Sequence, residues 1–96
     1  MTIYVDIDNT ICRTYGNNYP DARPLPENIS KINKLFDEGN EIIYWTARGR
    51  TSGTDWEYLT KQQLKEWGCK YHLLIMNEKP CFDLIIDDRA KKIEEI

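Results

Sequence analysis

Two carboxylates one residue apart close the first hydrophobic stretch of the chain, Ile3-Tyr4-Val5-Asp6-Ile7-Asp8, and the chain turns away at Asn9. Side chains alternate across a strand, so Asp6 and Asp8 are expected on the same side. That places them at the carboxyl end of a buried strand, where open α/β sheets hold their ligands. Like charges this close repel, and they cost stability unless a cation compensates. A bound Mg²⁺ is the simplest compensation, and an acidic pair with a hard cation suits phosphate chemistry.

The elements that must position this pair read as one alternation of strands and helices. Residues 9 to 25 are polar and rich in Asn, Tyr, Arg, Gly and Pro, which predicts an ordered loop or short flap. Pro26 suits a first helical turn, and Ile29, Ile32, Leu35 and Phe36 share one face, predicting a helix over 26–38 stopped by Gly39. Glu41 to Thr46 reads as a second buried strand, followed by the loop Ala47 to Gly53. Thr54 and Glu57 have the spacing of a capping box, and Trp56, Leu59, Thr60, Gln63, Leu64 and Trp67 outline a helix closed by Gly68. Tyr71 to Ile75 suits a third strand, Phe82 to Asp87 a fourth, and Arg89 to Glu95 a short last helix.

This alternation predicts an α/β fold: a small Rossmann-like parallel sheet of about four strands in the order 3-2-1-4, with helices on both faces. Its parallel strands would carry Asp6 with Asp8, Thr46, Lys79, and Asp87 with Asp88 to a single edge. Residues distant in sequence would converge there.

The 96 residues suffice for one core and predict a single domain over 1–96. Thirteen basic against sixteen acidic residues, without a long run of like charge, argue against a dedicated nucleic-acid surface. No basic, apolar leader and no stretch of about 20 apolar residues is present, which predicts a soluble cytoplasmic protein without a membrane partner. Cys12, Cys69 and Cys81 are scattered and His72 is the lone histidine, so disulfide and zinc frameworks are not expected. Cys12 is close enough to the acidic pair to be expected within reach of oxidants. His72 and the three tryptophans read as structural, core or interface residues.

The ordered set Asp6-x-Asp8-x-Thr10, Thr46 after a hydrophobic strand, Lys79, then Asp87-Asp88 resembles the haloacid dehalogenase superfamily of phosphotransferases. The resemblance runs from residue 3 to residue 89. It implies Asp6 as the nucleophile that forms an aspartyl-phosphate, and Asp8 as the acid that protonates the leaving oxygen and then activates water. It implies Thr46 and Lys79 as stabilisers of phosphoryl charge, and Asp6, Asp8, Asp87 and Asp88 as the Mg²⁺ site. Asn9, Thr10, Ala47, Arg48 and Arg50 are the candidates to bind substrate. Arg13, Arg23, Arg48 and Arg50 lie in loops near the expected edge, where a guanidinium could read a second anionic group. Tyr15 and Tyr19 could close over a sugar or base.

The spacing leaves no room for the cap domain with which many superfamily members select small substrates. Water exclusion would then fall to the flap, to a neighbouring subunit or to the substrate itself, and a homodimer or tetramer is expected. A fifth strand common in the superfamily is also not expected, which exposes a sheet edge to a partner. Tyr44-Trp45-Thr46-Ala47-Arg48-Gly49, with Lys79-Pro80 and Ile86-Asp87-Asp88-Arg89-Ala90, is similar to the small cap-less phosphatases of surface polysaccharide synthesis. That similarity implies a small phosphorylated sugar or polyol as substrate. Two other readings use the same fold: a non-catalytic binding or assembly module partnering a nucleotidyltransferase, and a phospho-acceptor receiver domain.

Overall fold

Ile42, Ile43 and Tyr44 are buried on both sides of their strand, the pattern of a central strand in a parallel sheet. In the computed structural model, which describes residues 1–96, β1 (Thr2–Asp6) enters first. A loop follows that pinches into a two-residue antiparallel ladder, β2 (Cys12–Arg13) with β3 (Arg23–Pro24). Then come α1 (Pro26–Asp37), β4 (Glu41–Thr46), α2 (Glu57–Glu66) and β5 (Leu73–Met76). The three long strands form a parallel sheet in the order β1-β4-β5. The architecture is α/β and broadly Rossmann-like. No helix is long and apolar enough to cross a membrane.

Register explains which residues share the core. Ile3 lies opposite Ile42, Val5 opposite Tyr44, and Tyr44 opposite Leu74, so these side chains project from one face. Ile29 and Ile32 of α1 and Leu64 of α2 pack with Val5, Ile7, Ile11, Ile42 and Tyr44 in a single buried cluster. Both helices therefore cover the same face, where one on each face was expected. The opposite face carries Tyr4, Trp45 and Leu73. Tyr4 and Trp45 meet edge to face at 5.3 Å, and Tyr4 and Leu73 stay about half exposed.

The first helix runs over the expected span, and the second starts at an N-cap, Trp56, that makes no side-chain cap hydrogen bond. Asp55 Oδ1 accepts the Glu57 amide at 2.9 Å, while Thr54 donates its own amide to Ser52 Oγ. Asp55 is two residues before that amide and reaches it directly, so the Thr54–Glu57 box does not form. The third strand begins two residues later than expected. His72, just ahead of it, accepts the Ile42 amide on Nδ1 at 3.1 Å and stacks on Phe36. That is a structural role.

The expected fourth strand is absent, so the sheet has three strands and the order 3-2-1-4 is not reached. Phe82 to Asp87 pairs with nothing, and Leu84 and Ile86 are 75% and 90% exposed. Apolar content marks a segment as able to be buried, but a strand forms only where a neighbour completes its hydrogen bonds. Here the approach is diverted. After the left-handed turn at Asn77 (φ 66°), the Lys79 ammonium sits 4.6 Å from the Phe82 ring centre and 5.9 Å from that of Trp45. This contact holds the start of the segment near the Trp45 face. The outer edge of β1 stays unpaired. The expected last helix is reduced to a 3₁₀ turn at Ile93–Glu95, with Ile93 packed on the core cluster.

Candidate active site

Asp6 is the last residue of β1 and lies opposite Trp45 in the ladder, so its carboxylate leaves the sheet on the Trp45 side. Lys79 Nζ approaches it at 3.4 Å. Burial pushes the Asp6 carboxyl above its ordinary range; Lys79 and the Ile7 amide pull it back, and the nearby Asp8 charge adds to the rise. The result is a carboxylate that is poorly solvated yet still partly exposed.

Asp8 lies beyond the end of the strand and bridges to Cys12. Its carboxylate faces a set of donors. Arg48 Nη2 reaches Oδ1 at 2.8 Å and Nε reaches Oδ2 at 3.0 Å, while Thr14 Oγ1 donates to Oδ1 at 2.7 Å. Arg48 itself is 1% exposed. Its remaining nitrogen, Nη1, donates to Thr60 Oγ1 at 3.1 Å and Gln63 Oε1 at 2.6 Å. Gln63 Nε2 in turn donates to the Tyr19 carbonyl at 2.7 Å, and the Tyr19 ring lies 4.7 Å from the Arg48 guanidinium carbon. A buried cation thus links Asp8, α2 and the flap.

Thr46 ends β4 and is buried. Its hydroxyl oxygen accepts the Arg48 amide at 3.2 Å, which leaves the hydroxyl hydrogen free to donate. Asn9 takes the left-handed conformation (φ 63°) that asparagine tolerates, and its Oδ1 accepts the Thr14 amide. The Thr10 carbonyl accepts Asn28 Nδ2 of α1, which fixes the turn to the helix. Ala47 borders a cleft beside the flap. Arg50 is exposed and donates to the Asn77 carbonyl, and Arg13 and Arg23 are exposed on the β2–β3 pair. Cys12 is fully buried, and burial raises its thiol pKa, contrary to the expected reach of oxidants.

Asp87 and Asp88 do not join this group. Both are exposed, and Asp87 accepts the Arg89 amide in a local turn. No three carboxylate, histidine or cysteine side chains meet within metal-binding reach anywhere in the chain. As arranged, Asp6 and Asp8 alone do not compose a Mg²⁺ site, because the Asp8 carboxylate is already satisfied by Arg48 and Thr14.

No protein-family model matches the chain, and no curated protein matches it. A solved structure shares its fold. The crystal structure of an MCSG target from Vibrio cholerae superposes with a TM-score of 0.81 at 23% identity, covering 98% of this chain and 85% of that one. At that identity the likeness concerns the fold alone.

Three residues of the network were not among the sequence candidates, Thr14, Thr60 and Gln63, while Tyr19, expected to close over a sugar or base, joins it through its carbonyl. Thr60 and Gln63 carried a signal. They fall three apart on the stripe of α2 that also holds Leu64, so two polar side chains point inward and require a buried polar partner.

Proposed function

We propose that the chain is a phosphomonoester hydrolase of the haloacid dehalogenase type, working through an aspartyl-phosphate on a small sugar or polyol phosphate. The observation that carries the reading is the pairing of Asp6 with Lys79 at 3.4 Å at the carboxyl end of β1, with Thr46 ending the adjacent parallel strand. A phosphoryl group placed beside Asp6 would meet a nucleophile and a cation, with the Thr46 hydroxyl on the neighbouring strand end as the candidate donor.

In the first step an Asp6 oxygen attacks phosphorus, the bond from phosphorus to the leaving oxygen breaks, and that oxygen takes a proton from the Asp8 carboxyl. In the second, water attacks phosphorus and gives its proton to Asp8, and the bond from phosphorus to Asp6 breaks. Inorganic phosphate and the Asp6 carboxylate are released. Asp8 Oδ1 receives Arg48 Nη2, Thr14 Oγ1 and the Cys12 thiol, whereas Oδ2 receives only Arg48 Nε closely. Oδ2 is therefore the oxygen that exchanges the proton. Lys79 offsets the charge that the phosphoryl group brings to Asp6.

Dependence on Mg²⁺ is part of the proposal and is tested separately, since Asp6 and Asp8 alone do not form a metal site. The test is phosphate release from an aryl phosphate and a panel of sugar phosphates, with and without Mg²⁺, in the native chain and in Asp6→Asn. Turnover lost in the variant supports the reading. Folded protein that turns over nothing in either condition overturns it.

A second reading has one observation in its favour. The separation of Asp87 and Asp88 from Asp6 suits a binding or assembly module that keeps the fold without turnover. The same assay decides between the two.

A further inference from the structure

Beside the Asp8–Arg48 network a cleft of about 430 Å³ opens between the flap and the loop after β4. That size falls within the range of small-molecule sites, roughly 300–1,000 Å³. Ala47, the residue after Thr46, and Cys81, two residues after Lys79, form part of its wall, so the cleft adjoins the segments that carry those two residues. Gly49 lets the loop close tightly: a Cβ there would stand 2.0 Å from the Thr54 carbonyl oxygen, and the backbone is left-handed (φ 81°).

The lining has a definite chemistry. Tyr19 and Trp56 meet edge to face at 5.3 Å and form an aromatic corner. Thr51, Ser52 and Thr54 set hydroxyls along the loop, and Asn17 faces them from the flap. Several of these polar groups retain capacity. Asn17 Oδ1 accepts the Tyr19 hydroxyl, which leaves its amide hydrogens free, and Ser52 Oγ accepts the Thr54 amide, which leaves its own hydrogen free.

None of the nine lining residues is charged. The two arginines nearest in sequence are committed elsewhere: Arg48 is buried against Asp8, and Arg50 donates to the Asn77 carbonyl. An anionic substituent would meet no counter-charge among these residues to offset whatever water it gave up there. An uncharged sugar ring would set its C–H face on the aromatic corner and exchange hydroxyl hydrogen bonds with the loop.

We infer that this cleft is the leaving-group subsite and selects an uncharged, hydroxyl-rich ring, rejecting acidic sugars and substrates with a second phosphate. The inference rests on the phosphatase reading for its chemistry but not for its binding. Its test compares kcat/KM for an aryl phosphate, a neutral hexose monophosphate, a hexose bisphosphate and a phosphorylated aldonic acid. The native chain and Ser52→Arg are both measured. The native enzyme is expected to favour the neutral hexose monophosphate by about tenfold or more over both anionic competitors, the scale of a few lost pocket contacts. Ser52→Arg, a change at an exposed loop position, is expected to narrow or invert that preference.

Equal or better turnover of the anionic substrates by the native chain overturns the inference and leaves the phosphatase reading intact. A preference that Ser52→Arg leaves unmoved also overturns it. If no phosphate ester turns over, the phosphatase reading falls, and binding decides the cleft. NMR titration of the native chain with the hexose monophosphate should then shift the Trp56 indole and the Thr51 and Thr54 amides. Absence of those shifts overturns the subsite.

Discussion

Arg48 grips Asp8 with two nitrogens of its guanidinium, Nη2 at 2.8 Å and Nε at 3.0 Å, while the arginine is sealed from solvent and the aspartate is not. This is a fixed fork rather than a mobile cation, and its remaining nitrogen is committed to Thr60 and Gln63.

Replacing Arg48 by methionine is therefore expected to cost stability, by roughly 3 kcal/mol, because it leaves the Asp8 carboxylate without its cation. Asp8→Asn combined with Arg48→Met should recover much of that loss. Urea unfolding of the two single variants and the double variant completes the cycle. Additive losses would show that the pair is not coupled.

Asp6 makes the opposite contribution. Burial raises its carboxyl pKa in the folded state above 3.8, so above that pH the folded protein carries the cost of ionising a poorly solvated group. The cost grows from pH 3.8 to the raised folded-state value and is constant beyond it. Asp6→Asn removes it, so the variant should be the more stable protein at neutral pH. Its advantage should shrink as the pH falls toward 3.8. Thermal unfolding across that range checks the sign, and an advantage that grows in acid would contradict it.

Gly49 is a position where any side chain meets backbone. Gly49→Ala is expected to destabilise the protein by about 1–3 kcal/mol, the scale of a forced left-handed residue. It should also displace the Thr54 carbonyl and widen the neighbouring cleft. The melting temperature reads the first effect. The ratio of sugar phosphate to aryl phosphate turnover reads the second.

Tyr44 lies at the centre of the core, where its buried hydroxyl has the Cys69 thiol as a neighbour but beyond full hydrogen-bond distance. Burial and the neighbouring Cys69 thiol push its pKa far above the usual phenol range, and burial pushes the Cys69 thiol up to about 11. Tyr44→Phe keeps the ring and its edge contact with Tyr71 while removing an unsatisfied polar atom. The variant is expected to be as stable as the native chain or up to about 1 kcal/mol more stable in urea. A clear loss would mean that the hydroxyl has a partner.

The sequence was most readable where one requirement decided the outcome. β4 and α1 fall almost where periodicity places them, because burial on both faces and a single apolar stripe admit few alternatives. Asn9 adopts the turn its residue type suits. Phe82 to Asp87 failed for the opposite reason. Its apolar run was as strong as that of β4, but strand formation depends on a neighbour, and no residue within the segment encodes whether β1 receives it. Arg48 shows the same limit at the site. Its place in a loop suggested a free guanidinium, whereas the inward-facing Thr60 and Gln63 draw it into the core. Trp56, expected in the core or at an interface, lines the cleft beside Tyr19.

The open side of β1 has a consequence for how molecules of this protein meet one another. Its outer backbone groups are unmatched along five residues, with half-exposed Tyr4 on the strand and the largely exposed Leu84 and Ile86 elsewhere on the surface. An uncovered strand edge is adhesive, and apolar surface strengthens the contact. Two copies meeting edge to edge would extend one sheet across both. Contact of that kind would make the protein's colloidal behaviour depend on its concentration, with dilution the simplest lever on it.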